Sequence, residues 1–187
     1  SGNSVYKAIV QCLPRRIADV IFLTEHYRSH PLIIGFVNQY VYKKRLFLRK
    51  DPEQKRIMSS GIFSQQVNGL CLRGAKGRSW INNPEKEAVC DLVRKLRKEG
   101  YDGHSIGIVT PFSSHKDEIQ NTIEIMGLND GINFGTAHLF QGDEREIIIF
   151  SPVVSKGITD GAARVVEIPH NLINVAVTRA KEALFVV

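Results

Sequence analysis

Four stretches combine side chains that could meet a phosphate, a sugar or a base: TEHYRSHP (24–31), TPFSSHK (110–116), GTAHLFQGDE (135–144) and LINVAVTRA (172–180). In the first, His30 precedes Pro31, which pushes His30 out of helical geometry and leaves Tyr27, Arg28 and Ser29 in a loop feeding a helix N-terminus. Such a terminus carries unpaired N–H groups and a positive dipole end, favourable to phosphate, and Arg28 adds a charged fork. The plain alternative is a solvated arginine beside a half-buried tyrosine. In the second, Thr110 and the start of a helix could hold a backbone phosphate and Phe112 could stack on a base, or the two could be an ordinary cap and a core side chain. The third gathers Thr136, His138, Gln141, Gly142 and Glu144 between two apolar runs; a glycine admits a ligand close to the backbone, and Glu144 is a candidate ribose acceptor. In the fourth, Arg179 borders an apolar helical arc of Leu172, Ile173, Ala176, Val177 and Ala180. It either snorkels to water or points into a cleft whose other wall belongs to another domain.

The elements that must position these residues follow from apolar patterning. VIFL (20–23), SIGIV (105–109), EIIIF (146–150) and ALFVV (183–187) lack polar alternation, as strands buried on both faces do. Between them, Pro31 opens a helix with a face of Ile33, Phe36, Val37, Tyr40 and Val41. Asn83 before Pro84 reads as the cap of a second helix, with Glu85 and Glu87 in its first turn, a stripe of Val89, Leu92, Val93 and Leu96, and Gly100 as terminator. Ser114 and Asp117 read as a capping box for a third, ending at Gly127. Residues 153–170 and 43–56 read as long irregular pieces. Strand alternating with helix predicts a three-layer α/β fold with a mainly parallel sheet, whose ligands sit at the carboxyl ends of the strands.

The 187 residues, 43% hydrophobic, suffice for one sizeable core, and one domain over 1–187 is expected, with 1–19 as linker or tag plus an entering helix. The excess of 25 Lys+Arg over 19 Asp+Glu, a net charge of +6, favours anionic partners such as nucleic acid or nucleotide. Cys12, Cys71 and Cys90 form no CxxC and suggest neither a disulfide framework nor a zinc site. No run reaches the ~20 apolar residues of a membrane span. A protein of the cytoplasm, or of the nucleus in a eukaryote, is expected.

Taken together and in order, these stretches resemble the second RecA-like domain of superfamily 1 helicases, in the branch of the nonsense-mediated-decay helicase and Dna-two-like enzymes. LTEHYRSHPLIIGFVNQYVYKKRL is similar to that branch's L-x-x-[NQ]-Y-R-M-H-P segment, IGIVTPFSSHKDEI to I-G-[IV]-[IV]-T-P-[YF], and SWINNPEKEA to S-[YW]-x-N-x-x-E-A. GTAHLFQGDEREIIIFS resembles the fifth motif and LINVAVTRAKEALFVV the sixth. Ser29 replaces a usual methionine, His26 a usual amide and His138 an aspartate, while Asn171 and Leu172 replace a basic pair. The resemblance implies an ATP hydrolase, part of a helicase or translocase. Arg28 and Arg179 would be arginine fingers, Tyr27 would stack on adenine, Glu144 would bind ribose, and Gln141 and Gly142 would flank the phosphates. Thr110, Pro111, Thr136 and His138 would hold single-stranded DNA or RNA.

No GxxxxGK[ST] occurs in the sequence, and GAKGRS (74–79) has neither its spacing nor its Lys-Ser pair. ATP and Mg²⁺ are therefore expected to be held mainly by an N-terminal RecA-like domain of the same polypeptide, the isolated chain to be inactive, and no metal to be bound by the chain itself. The chain reads as a piece cut at a domain's last strand, with SGN as a cloning remnant. The competing reading is a nucleic-acid-binding module of a helicase-like protein without ATPase activity.

Overall fold

Consecutive isoleucines and valines need cover on both faces, and the fold supplies it. The computed structural model describes residues 24–50, 59–74, 77, 79–136, 140, 143–167 and 172–187. Within them β3 (Gly61–Ser64), β6 (Ile106–Thr110), β7 (Asn133–Thr136), β8 (Arg145–Phe150) and β9 (Ala180–Val186) form a parallel sheet in the order β3-β9-β8-β6-β7. The predicted runs at 105–109, 146–150 and 183–187 are its three central strands; VIFL lies outside the described residues. Two small pairs flank the sheet: β1 (Glu25–His26) with β2 (Phe47–Leu48), parallel, and β4 (Cys71–Arg73) with β5 (Trp80–Asn82), antiparallel.

Alternate residues of each strand face opposite helix layers. On one face Ile148, Phe150, Val109 and Leu184 pack against Ile33, Ile34 and Val37 of α1 (Pro31–Tyr40) and Ala176 and Val177 of α5 (Leu172–Arg179). On the other, Ile147, Ile149, Ile106 and Ile108 meet Val89, Val93 and Leu96 of α2 (Asn83–Lys98) and Ile119 and Ile123 of α3 (Ser113–Ile125). Each such isoleucine contributes about 1.5–3 kcal/mol through burial. The result is the expected three-layer α/β architecture.

Several local expectations are corrected. The cap of α2 is Asn82, whose Oδ1 accepts from the Glu85 N–H at 3.4 Å, and Asn83 is the first helical residue. The Ser114/Asp117 box does not form: α3 starts at Ser113 without a side-chain cap, and Asp117 pairs with Lys116 at 2.8 Å. Phe36 and Tyr40 are exposed, their rings tilted at 46° against each other with centroids 5.0 Å apart. Residues 153–170 contain a helix, α4 (Asp160–Glu167). The last helix stops at Arg179, so Ala180, Lys181 and Glu182 belong to β9.

Because the five strands run one way, the sheet has an amino edge and a carboxyl edge. Along the six residues of β8 these lie ~17 Å apart, at ~3.3 Å per residue. Because β7 and β8 are parallel, β7 ends at the carboxyl edge and β8 begins at the amino edge, and between them Phe140 is seated on the sheet. Its ring lies against Gly107 and Gly135, where a Cβ would come within 2.7 and 2.5 Å of the ring.

Candidate functional site

Arg28 and Glu144 meet at the amino edge, not at a carboxyl end as expected for the loop residues. The tie is backbone first: the His30 N–H donates to the Lys181 carbonyl at 2.7 Å, joining the entry of α1 to the start of β9. Lys50 reinforces it. Its Nζ donates to the Arg28 carbonyl at 3.0 Å and the Lys181 carbonyl at 3.5 Å, and pairs with the buried Glu182 carboxylate. Inside the loop, the Ser29 N–H donates to His26 Nε2 at 2.9 Å. Burial, followed by the charges of Arg28 and Lys50, pushes the His26 pKa down, which favours the neutral acceptor this bond requires.

On this platform Arg28 Nε stands 2.6 Å from Glu144 Oε1, with Lys181 Nζ 3.7 Å from the other oxygen. The pair is open to water, the side chains 43% and 23% exposed. Arg179 closes α5 immediately before Ala180, which lies opposite Arg145 in the β8–β9 register, so Arg179 flanks the same corner. Its Nε is buried without a hydrogen-bond partner among the described residues. Tyr27, 63% exposed, anchors its hydroxyl on Glu25, which Arg49 also holds at 3.0 Å. Its ring faces are thus free on a tethered loop. One guanidinium and one ammonium around the Glu144 carboxylate, with Arg179 at the neighbouring helix end, make a site with surplus positive charge, suited to polyphosphate. Gln141, Gly142 and His138 lie outside the described residues.

The carboxyl edge is built differently. Thr110 and Thr136 are Cα partners at the ends of β6 and β7, so the structure does bring these two together. Thr136 is half-buried, as is Pro111, but Thr110 is 0% exposed and its Oγ1 has no partner among the described residues. The expected open hydroxyl at Thr110 is therefore sealed, since both faces of β6 are covered to its last residue. Phe112, expected to offer a stacking face, is partly buried against Cys71, Trp80 and Val153.

Beneath this edge lies a buried polar network. Glu85 Oε2 accepts from Ser151 Oγ at 2.6 Å and the Val153 N–H at 2.9 Å, and Oε1 accepts from Asn82 Nδ2 at 2.9 Å. His115 Nδ1 accepts from the Asn82 N–H at 3.4 Å, which leaves Nε2–H to donate to Ser151 Oγ at 2.9 Å. Burial raises the Glu85 pKa and, with help from Lys86, pushes His115 down to about 4. Sequence reasoning assigned these residues no such role. Glu85 was legible only as a first-turn acid, Asn82 only as part of SWINNPEKEA, and His115 only as part of TPFSSHK, although its i, i+4, i+8 spacing with Ile119 and Ile123 could have marked it as buried. Lys50 and Lys181 carried no signal beyond their charge. Among the described residues, no group of three or more His, Cys, Asp or Glu could hold a metal ion, and no helix is long and apolar enough to cross a membrane.

Residues 2–187 match the family model described as AAA domain. The chain belongs to this family. It is 29% identical over 173 residues to the probable helicase senataxin of Mus musculus, covering 89% of this chain and 6% of that protein. It is 32% identical over 205 residues to the DNA replication ATP-dependent helicase/nuclease JHS1 of Arabidopsis thaliana, covering all of this chain and 15% of that one. Against regulator of nonsense transcripts 1 of Caenorhabditis elegans it is 29% identical over 180 residues, covering 88% and 16%. The chain thus spans a small fraction of the curated relatives it matches. It is a helicase-family domain, and the likeness to the second domain of superfamily 1 helicases is borne out by these relatives.

Proposed function

We propose that this AAA domain is the half of an ATP-driven nucleic-acid helicase or translocase that supplies arginine fingers to ATP held on a partner RecA-like domain of the same polypeptide. The observation that carries the reading is the amino edge, where segments far apart in sequence meet at Glu144, Arg28 at 2.6 Å and Lys181 at 3.7 Å, with Arg179 at the adjoining end of α5. Guanidinium charge placed where phosphoryl charge redistributes lowers the barrier to transfer, and fingers supplied across an interface report its closure. Tyr27 would offer its ring to adenine, Glu144 would turn from Arg28 to ribose, and Gln141 and Gly142 would border the phosphates. This cationic donor set suits phosphate oxygens; Mg²⁺ would be held by the partner domain, where it would neutralise phosphate charge. At the other edge Pro111, Thr136 and His138 would hold single-stranded DNA or RNA, with Thr110 reached only after local opening.

The test is ATP turnover by the full-length protein with Arg28 and Arg179 changed to alanine singly and together. Each single change is expected to lower the rate by roughly 10³. The double change should cost less than the product of the two, because both groups stabilise the same charge. Folded single variants with near-normal turnover would overturn the reading.

A further inference from the structure

The hairpin β4–β5 carries an arginine that neither the fold nor the sites above require. Arg73 lies opposite Trp80 in the hairpin register, and its guanidinium carbon stands 4.1 Å from the centre of the Trp80 ring. The indole is only 7% exposed and rests on Cys71 and Val153, with Phe112 alongside, whereas Arg73 is exposed. No carboxylate pairs with Arg73 among the described residues. A guanidinium seated over an indole loses little further freedom on binding, and its exposed donors stay available.

The hairpin is fixed at the carboxyl edge. The Cys71 N–H donates to the Lys156 carbonyl at 2.7 Å, and Ser79 Oγ accepts from the Ser114 N–H, at the start of α3, at 3.3 Å. A Cβ on Gly74 would come within 2.7 Å of the Ser114 side chain, so the hairpin end sits tight against α3. Arg73 is thereby held beside the segments that follow β6 and β8, on the same edge as Pro111 and Thr136. An unpaired, preorganised cation there, in a chain of net charge +6, faces anionic ligands.

We propose that Arg73, seated on Trp80, is a further nucleic-acid contact that takes a backbone phosphate of the single strand. The proposal rests on the strand-holding reading of the carboxyl edge. It extends that edge from the strand ends onto the hairpin, with Trp80 as the platform that orients the fork.

The experiment is anisotropy of a labelled oligothymidylate titrated with the chain across a series of salt concentrations, for the parent, Arg73→Ala and Arg73→Met. Methionine keeps an apolar stem over Trp80 and removes only the charge. Both variants should bind several-fold more weakly at low salt, with the log-log salt slope reduced by about 0.7, the contribution of one phosphate contact on a single strand. Emission from Trp80, the one tryptophan of the sequence, should respond to the oligonucleotide in the parent and respond less in Arg73→Met. A folded Arg73→Met variant with parental affinity and slope would reduce Arg73 to a roof over Trp80 and overturn the proposal alone. A parent chain that fails to bind at low salt would overturn the strand-holding reading as well.

Discussion

The two edges of the sheet hold charge in opposite ways. At the amino edge Arg28, Glu144 and Lys181 are half open to water and bound to one another through pairs that water or a ligand can replace. At the carboxyl edge Glu85 and His115 are buried, their pKa values pushed toward the neutral forms and every carboxylate oxygen engaged. Exposed ion pairs contribute little to stability and exchange partners readily, whereas a buried network is costly to leave half-satisfied. One edge is therefore suited to changing partners, as the proposed function requires of the nucleotide side, and the other to holding a rigid frame.

The largest effect on stability should come from breaking the buried network. Glu85→Ala removes the acceptor of Ser151 Oγ, the Val153 N–H and Asn82 Nδ2. It should lower unfolding free energy by about 3–5 kcal/mol in a denaturant titration. A loss under ~1 kcal/mol would show that the network is not a frame.

Acid should act next, through His115. With its folded pKa near 4, below the ordinary value of 6.5, the unfolded chain binds a proton that the fold excludes. This contribution is intact above pH 6.5 and is lost as pH falls from there to about 4, on the order of 3 kcal/mol in all. Glu85 works the other way. Its raised folded pKa costs stability above that value, and the cost is relieved as pH falls toward 4.5, offsetting part of the histidine's loss. His115→Gln should therefore flatten or reverse the slope of stability against pH between 6.5 and 4.5, measured by thermal unfolding. Equal slopes in parent and variant would remove His115 from the account.

The smallest stability effect should fall at the other edge. Glu144→Gln loosens a pair that is 43% and 23% exposed, and should change unfolding free energy by no more than about 1 kcal/mol. Its consequence is expected in nucleotide affinity instead, since the glutamine keeps one acceptor but frees Arg28. A large loss of stability would mean that Arg28 and Glu144 form a structural bridge rather than an exchangeable one.

The same contrast explains what was legible in the sequence. Strands β6, β8 and β9 announced themselves because unbroken apolar runs have one low-energy fate, and Pro31 and Gly100 marked helix ends by backbone chemistry that acts locally. The four-residue strands β3 and β7 did not stand out, because GIFS and NFGT gain their strand character only from neighbours distant in sequence. Arg28, Glu144 and Arg179 were legible as types in motifs. That they share the amino edge was not, because the His30 N–H to Lys181 carbonyl bond and the Arg28–Glu144 pair that join α1 to that edge link residues more than a hundred positions apart. Ala180 reads as the end of the helical arc because its apolar spacing fits either period, and the sheet register decides it.

The most direct test of the division between edges crosses two variants with two readouts in the full-length protein. Arg179→Ala should cut ATP turnover by about 10³ while strand affinity without nucleotide stays near the parent's. Thr136→Val should weaken strand binding while turnover at saturating strand is largely kept. A folded Arg179→Ala protein with near-normal turnover, or either variant losing both properties together, would contradict the assignment of nucleotide to the amino edge and strand to the carboxyl edge.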